Sequence, residues 1–266
     1  HIGALPYVLS KLEVPIYSSR LSHGLITVKL RETGLLKDAK LNVIEPHSPF
    51  KLGPFGVEFF RVCHSIPDAM GIAIRTPLGL IIHTGDFKID HTPADGKYTD
   101  FSALAQLTAK GTFLLLSDST YAEVPGYTES EQTVGMALDR IIDEAPGRVI
   151  VATFASLISR IQQVVNSAVR QDRKVATMGR SMANNVKMAS KLGYLTAPSG
   201  TMVSLNEIRK LPHNRVVIVA TGSQGEPTSA LVRIANQEHQ DVEIIPGDTV
   251  IISASPIPGN ETVVAK

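Results

Sequence analysis

Short apolar segments separated by turn residues make up the chain from about Val57 to Ile89. They read VEFFRVC, GIAIRT and PLGLIIHTGD, and each is too short for a helix. Segments of this length, bounded by glycine, proline and aspartate, are typical of strands joined by tight turns. The pattern predicts a largely antiparallel sheet with a turn at Pro77–Gly79, and it places His64 and Asp86 in loops at the ends of strands.

From Gly111 onward the pattern changes to an alternation of strands and helices. The segments GTFLLLS, RVIVAT, RKVAT, RVVIVAT and DTVIISA are continuous apolar runs, which suit strands covered on both faces. Apolar residues between them recur at helical spacing; they are Val134, Leu138, Ile141 and Ile142, and then Leu157, Ile161, Val164, Val165 and Ala168. These features predict a parallel sheet with crossover helices. The change in pattern predicts a first domain over residues 1–120 and a second over 121–266.

Composition narrows the class of protein without identifying its chemistry. The 266 residues include 26 Lys and Arg and 25 Asp and Glu, so the net charge of +1 gives no global field that attracts nucleic acid. The single cysteine, Cys63, excludes an internal disulfide framework and favours a reducing compartment, which predicts a cytoplasmic protein. No apolar run approaches the roughly 18–20 residues that cross a bilayer, so no membrane partner is expected.

Both ends of the chain lie in patterned segments. The first residue is His1 rather than methionine, and the last ten residues, IPGNETVVAK, follow a predicted strand and a turn. These features predict a fragment of a longer protein.

Three residues stand out as candidates for chemistry: His1, His64 in VCHSIPD and Asp86 in HTGDFKID. Imidazole and carboxylate groups at the edge of a sheet can converge on a metal ion, and these donors suit Zn²⁺ or Mn²⁺. Each residue also has a simpler explanation, because an aspartate after Thr-Gly is commonly a turn residue and a single histidine is commonly just hydrogen-bonded. The residues alone leave both interpretations open.

The motifs in the first half resemble those of the metallo-β-lactamase-fold hydrolases. HIGALPYVL is similar to the end of their HxHxDH motif, CHSIPDAMGIAI to the third motif and IIHTGDFKID to the fourth, in the same order. In the second half, LLLSDSTYAEVPGYTESE resembles the first motif of the β-CASP insert. VATFAS, GRSM, ATGSQGEPTSALVRIA and SASPIPGNE together resemble the ribonuclease J family. The resemblance covers the chain from His1 to Lys266.

The resemblance implies an α/β fold in two parts. A partial metallo-β-lactamase domain of the αββα type would carry an inserted, partial β-CASP domain of doubly wound α/β architecture. His1 would be a ligand of one metal ion, His64 a ligand of the other, and Asp86 a bridge between them. The complete enzyme would hold two Zn²⁺ ions, or Mn²⁺, with the remaining ligands before His1 and after Lys266.

Asp118 corresponds to the first aspartate of the β-CASP motifs. The resemblance implies that it holds a ligand histidine in the correct tautomer or takes part in proton transfer. A purely structural role, capping a turn with Ser119 and Thr120, explains the residue equally well without the resemblance. The chain departs from the family at Tyr121, where asparagine is common, and at Ser159, where a histidine is expected.

Candidate phosphate contacts lie in the second half of the chain. The loop TGSQGEP follows an apolar strand and precedes a helix, an arrangement in which backbone N–H groups can bind an anion. Ser223 in that loop and Ser255 in SASPIPGNE are therefore candidate contacts with substrate. Arg180 in GRSM could make a bidentate contact with a phosphate.

The function implied by the resemblance is metal-dependent hydrolysis of phosphodiester bonds in single-stranded RNA. Cleavage would proceed from the 5′ end, and also internally, in RNA maturation and decay including ribosomal RNA processing. The full-length protein is expected to be a homo-oligomer, a dimer or a tetramer. Two alternatives stay open: a hydrolase of the same fold acting on another ester such as a thioester, and an inactive RNA-binding subunit or paralogue. The 266-residue chain alone is expected to be inactive, because three ligands do not hold two ions in closed coordination.

Overall fold

The computed structural model describes residues 2–257 and 259–265. The chain forms two compact units, one up to Thr133 and the other from Val134 onward. This boundary lies within the helix Glu131–Glu144. The domain limits expected from the sequence, 1–120 and 121–266, divide the chain by its family motifs, whereas the two units are defined by their packing. The expected limits therefore stay a prediction.

The first unit contains a mostly antiparallel sheet, as predicted. Its strands are β1 (Ile16–Ser18), β2 (Leu41–Val43), β3 (Phe50–Leu52), β4 (Phe55–Arg61), β5 (Met70–Thr76), β6 (Gly79–His83) and β7 (Leu114–Leu116), and its helices are α1 (Leu5–Leu9), α2 (Arg20–Glu32) and α3 (Phe101–Thr108). The main sheet has the order β3-β4-β5-β6-β7 and is antiparallel except for the parallel β6–β7 pair. Strands β1 and β2 form a separate parallel pair.

The hairpin between β5 and β6 turns at the predicted Pro77–Gly79 segment. The Thr76 hydroxyl accepts hydrogen bonds from the N–H groups of Leu78 and Gly79, at 3.1 and 3.2 Å. It also donates to the Gly79 carbonyl at 2.8 Å. A side chain that bonds to nearby backbone in this way stabilises a tight turn, and the turn sets the register in which β5 and β6 pair.

Phe60 lies in the hydrophobic core of the first unit, between the main sheet and α3. Its side chain is 1% exposed and belongs to a buried cluster with Val62, Ala73, Leu80, Ile82, Ala103 and Leu107. In the antiparallel register Phe60 is paired with Gly71. A Cβ atom at position 71 would overlap the Phe60 ring. The ring therefore occupies the space that a side chain at position 71 would need.

The second unit contains the predicted parallel sheet. Its strands are β8 (Val149–Ala152), β9 (Lys174–Met178), β10 (Val216–Ala220) and β11 (Thr249–Ile252), and the helices from this point are α4 (Glu131–Glu144), α5 (Ile158–Arg170), α6 (Arg180–Leu192), α7 (Leu205–Ile208), α8 (Ala230–Ala235) and α9 (Glu261–Ala265). The order is β11-β8-β10-β9, and every described pair is parallel. All residues of β8 and β10 are buried, as expected for strands covered on both faces.

The helical spacing seen in the sequence is also confirmed. Leu138 and Ile142 are the buried residues of α4. In α5 the predicted apolar positions Ile161, Val164 and Val165 are fully buried, as is Ala168. Within the described residues no helix is both long and apolar enough to span a membrane.

The structure corrects the expectation that GTFLLLS and DTVIISA form buried strands. Residues 114–116 of β7 are 43–59% exposed, and β7 pairs with β6 of the first unit rather than with the parallel sheet. In β11, Val250 and Ile252 are 40% and 44% exposed. Both strands lie at the end of the described sheet order, with one neighbouring strand each. An apolar run specifies a strand but does not reveal whether that strand is central or at an edge.

Candidate active site

One edge of the main sheet collects the candidate residues of the first unit. Strand β5 is antiparallel to both β4 and β6, and β7 is parallel to β6, so β4, β6 and β7 run in the same direction. Their carboxyl ends therefore lie at the same edge of the sheet. His64 follows β4, Asp86 follows β6 and Asp118 follows β7. The topology brings these three residues into one cavity.

Hydrogen bonds to the backbone hold the loops of this edge together. The N–H of Lys88 donates to the carbonyl of Cys63 at 2.7 Å, which joins the Asp86 loop to the His64 loop. The N–H of Thr84 donates to the Leu116 carbonyl at 3.0 Å. The hydroxyl of Thr84 in turn accepts from the N–H of Asp118 at 3.0 Å. The spacing of the three loops therefore depends largely on main-chain atoms.

The loop that carries His64 is also fixed to helix α2. Asp68, in the same CHSIPD segment, accepts a hydrogen bond from the Ser19 hydroxyl at 2.9 Å and one from the N–H of Leu21 at 2.7 Å. These groups lie at the N-terminus of α2, where N–H groups lack partners within the helix and a negative charge is favoured. The aspartate therefore stabilises the helix and orients the loop.

His64 and Asp86 face each other across the edge. The His64 Nε2 atom is 3.9 Å from Asp86 Oδ2, which is too long for a hydrogen bond, and the side chains are 35% and 54% exposed. Asp86 follows Gly85, which has φ of +64° and lies so close to the Met70 carbonyl that a Cβ there would be 3.1 Å from it. A glycine is therefore required for the chain to turn and present Asp86 at this point.

Asp118 stabilises a turn and also lines the cavity. Its Oδ1 accepts hydrogen bonds from the Thr120 hydroxyl at 2.6 Å and the Thr120 N–H at 3.0 Å, and its Oδ2 accepts from the N–H of Phe87 at 3.4 Å. The bonds from Thr120, followed by that from Phe87 and the nearby His64 imidazole, lower the pKa of Asp118 despite the opposing effect of burial. The carboxylate is therefore ionised at neutral pH, beside His64.

A second group of charges lines the same cavity, which has a volume of about 840 Å³. The Lys88 ammonium is 3.7 Å from Asp90 and 3.4 Å from Glu131, and the Asp90 side chain is fully buried. Asp90 also accepts hydrogen bonds from the N–H groups of Thr92 and Glu131, each at 2.9 Å. Since Glu131 still belongs to the first unit, Asp90 joins the loop after β6 to the last residues of that unit.

The electrostatics of Asp90 predict a pH-dependent contribution to stability. Burial acts to raise its pKa, but the Glu131 N–H, the Ser130 hydroxyl, the Thr92 N–H and the Lys88 charge together lower it below the ordinary value of 3.8. Because the folded-state pKa is lowered, the stabilisation is complete above the unfolded-state pKa and is lost as pH falls through the folded-state pKa. We expect Asp90→Asn to lower the free energy of unfolding by about 2 kcal/mol at pH 7 and by less near pH 3.

Urea unfolding followed by circular dichroism measures this difference, since the chain contains no tryptophan. Asp38→Asn, at an exposed position, is the control and is expected to change stability little at either pH. A loss of equal size at both pH values in Asp90→Asn would contradict the electrostatic explanation.

The donors present are of the kind that a divalent metal ion requires. His64 and Asp86 offer an imidazole and a carboxylate, and among the described residues neither Asp86 nor Asp118 pairs with Lys or Arg. The described residues contain no group of three His, Cys, Asp or Glu arranged as a metal site, and His1 lies outside them. Burial raises the pKa of Cys63 to about 11, so its thiol stays protonated. His64 and Asp86 therefore fit two positions of a metal site.

Comparison with known proteins identifies the family. The chain is 49% identical over 271 residues to ribonuclease J of Thermus thermophilus, 48% over 262 residues to that of Synechocystis, and 47% over 266 residues to that of Helicobacter pylori strain J99. These alignments cover 98–100% of the chain, and the chain covers 47%, 41% and 38% of the three relatives. The chain belongs to the ribonuclease J family. Residues 146–266 match the family model described as the β-CASP domain of ribonuclease J.

The ribonuclease J assignment agrees with the fold. The mixed α/β architecture is that of a partial metallo-β-lactamase unit with a β-CASP unit, as the sequence motifs implied. A crystal structure of a protein of unknown function from Enterococcus faecalis V583 matches 90% of this chain and 65% of its own, with a TM-score of 0.59 at 17% identity. That likeness supports the fold alone. The chain spans less than half the length of the three ribonucleases J above.

In the β-CASP unit of this ribonuclease J family member, the candidate residues Ser223 and Ser255 lie in two loops that are joined by hydrogen bonds. Ser223 is 2% exposed, whereas Ser255 is exposed. Gln224 joins their loops, since its side-chain amide donates to the Ser255 carbonyl at 2.9 Å and accepts from the N–H of Ile257 at 2.7 Å. The role of both serines stays a prediction.

Thr221 engages the N-terminus of α8, which was expected to offer its N–H groups to an anion. The N–H of Ala230 donates to the Thr221 hydroxyl at 3.2 Å and the N–H of Leu231 to its carbonyl at 2.9 Å. Thr221 also lies close to Gly179, so the neighbouring Arg180, which is exposed at the start of α6, is near the same loop. Any phosphate at this loop would contact side chains rather than these two N–H groups.

The structure adds residues that the motifs did not identify. Lys88, Asp90, Glu131 and Tyr127 line the cavity with the predicted residues. In DFKID, Lys88 and Asp90 are two positions apart. In extended backbone this spacing places two side chains on the same face of the chain, so the pattern could have indicated that they lie together. No local pattern could have paired Asp90 with Glu131, because 41 positions separate them.

Proposed function

We propose that the full-length protein is a metal-dependent ribonuclease that hydrolyses phosphodiester bonds of RNA, and that this chain supplies its central part. The observation that carries the proposal is the convergence of His64, Asp86 and Asp118 in one cavity of a chain that belongs to the ribonuclease J family. The finer assignments, cleavage from the 5′ end with internal cleavage in addition, follow from the motifs.

His64 and Asp86 would hold metal, with Zn²⁺ or Mn²⁺ as the ions that suit these donors. A bound divalent ion supplies Lewis acidity and positive charge at the attacked phosphate. Asp118 stays ionised and accepts hydrogen bonds from the Phe87 N–H and from Thr120, so it would keep the Asp86 loop in place beside His64. The backbone bond from Lys88 to Cys63 fixes the distance between the two ligand loops.

RNA would also contact the β-CASP unit. Arg180 is exposed and carries a guanidinium that can bind a phosphate through two hydrogen bonds. Ser255 is exposed, and Ser223 adjoins Gln224, which holds the Ser255 loop. Contacts of this kind bind the backbone rather than the bases and so favour low sequence specificity. The full-length protein is proposed to act in the cytoplasm as a homo-oligomer, a dimer or a tetramer.

A comparison of two substrates tests the reaction class. We expect the full-length protein to cleave 5′-monophosphorylated single-stranded RNA and to leave an acyl thioester intact, because a thioester carries no phosphate for the proposed site to bind. Release of nucleotides and of free thiol, each followed with and without added Zn²⁺ or Mn²⁺, measures the two activities. Thioester hydrolysis without RNA cleavage would support the alternative ester hydrolase, and RNA binding without either activity would support an inactive paralogue.

A further inference from the structure

Two tyrosines in the cavity are not needed by the proposed metal site. Tyr121 and Tyr127 line the same cavity as His64, Asp86 and Asp118, and their side chains are 60% and 89% exposed. Aromatic side chains usually bury most of their surface. In the described part of the chain neither ring stacks on another aromatic residue. Both rings are therefore exposed at the cavity in this chain.

The backbone determines where these two rings emerge. The hydrogen bond from the N–H of Val124 to the Tyr121 carbonyl, at 3.0 Å, closes a turn directly after the Asp118–Thr120 interaction. Gly126, immediately before Tyr127, has φ of +109°, a conformation that residues with side chains rarely adopt. The local backbone conformation thus determines where the chain places each tyrosine, although the rings themselves are largely exposed.

The charges of the cavity indicate which part of a nucleic acid the rings would contact. Among the described residues, those that line the cavity include Asp86, Asp90, Asp118 and Glu131 but a single Lys, Lys88, whose ammonium already pairs with two of these carboxylates. The protein's own side chains therefore offer little attraction to phosphates here. Stacking of a base on an aromatic ring requires no positive charge.

We propose that Tyr121 and Tyr127 form a stacking platform for unpaired nucleobases beside the cleaved bond. The inference rests on the proposed ribonuclease function and deepens it by naming what the two rings would contact, namely the faces of unpaired bases, which paired bases do not expose. Every base has a face that can stack, so the platform tolerates any sequence. Tyr121, at a position where the family commonly has asparagine, adds one of the two rings.

Binding to RNA with single missing bases tests the platform. The full-length protein carrying Asp86→Asn, which prevents cleavage, is titrated with a fluorescent, 5′-monophosphorylated single-stranded RNA and with copies in which one abasic nucleotide occupies successive positions from the 5′ end. We expect Tyr121→Ala and Tyr127→Ala each to weaken binding of intact RNA about tenfold, whereas phenylalanine at either position preserves binding. An RNA that lacks the base stacked on the substituted tyrosine should bind equally well to the alanine variant and to the Asp86→Asn protein that keeps both tyrosines.

Tyr98→Ala is the matched control, because Tyr98 is a 56% exposed tyrosine of the same unit outside the cavity. It should bind intact RNA as the parent does. The platform is overturned if both alanine variants bind intact RNA normally, or if they lose the same factor on intact and on every abasic RNA. Failure of the proposed function is distinguishable, since it would appear as absence of RNA cleavage by the unsubstituted full-length protein.

Discussion

Asp86→Asn in the full-length protein is expected to reduce the rate of RNA hydrolysis by more than about 100-fold. The side chain follows β6 at the sheet edge, 3.9 Å from His64, and an amide is a far weaker metal ligand than a carboxylate. Replacing residues that merely support metal ligands typically costs about 10–100-fold in activity or metal affinity, so loss of a ligand should cost more. Turnover of 5′-monophosphorylated RNA and the metal content of the purified protein are the two measurements.

Asp95→Asn is a suitable control, because Asp95 is an exposed carboxylate of the same unit that accepts a local hydrogen bond from the Lys97 N–H and lies outside the described lining of the cavity. This variant should retain both activity and metal. Undiminished turnover in Asp86→Asn would refute the assignment of Asp86. A loss of turnover with normal metal content would assign the residue to substrate or water instead.

Phe60→Ala is expected to lower the free energy of unfolding of the first unit by about 3–5 kcal/mol. The ring is 1% exposed within the core between the sheet and α3, and its removal leaves a cavity that the surrounding strands can only partly fill. Urea unfolding monitored by circular dichroism gives the change. Phe55→Ala, at a 43% exposed position at the start of the same strand, should have a much smaller effect.

The pairing of Phe60 with Gly71 makes a sharper test possible. Gly71→Ala alone should destabilise by about 1–3 kcal/mol, because the added methyl group overlaps the ring. In the Phe60→Ala background the same substitution meets no ring and should be neutral or stabilising. The two effects are therefore expected to be strongly non-additive. Additive losses would show that the ring does not occupy the space above Gly71.

Much of the fold could be predicted from local patterns, as two examples show. The continuous apolar runs of β8 and β10 correctly predict strands buried on both faces, and the helical spacing of Ile161, Val164 and Val165 correctly predicts a helix that is buried along one side. The error at residues 114–116 has a definite cause. Whether a strand has one neighbour or two depends on the order of strands in the sheet, and that order is determined by contacts between distant segments.

The candidate site, like the fold, could be predicted from the sequence only in part. The sequence places His64 and Asp86 in loops at the ends of strands, and this agrees with the structure. That they meet follows from the direction of β4, β6 and β7, which hairpin spacing suggests only for β4 and β6. The burial of Asp90 against Lys88 and Glu131 depends on the path of the chain between residues 90 and 131 and so left no local signal.

The loops that present His64, Asp86 and Asp118 are spaced by amide and carbonyl groups, together with one threonine hydroxyl. Because main-chain atoms are the same in every residue, substitutions at positions 64 and 86 leave these bonds untouched, whereas Asp118 contributes its own carboxylate by accepting from the Phe87 N–H. Such an arrangement is suited to engineering: exchanging one donor type for another at positions 64 and 86 could shift the preferred ion while the scaffold keeps its shape.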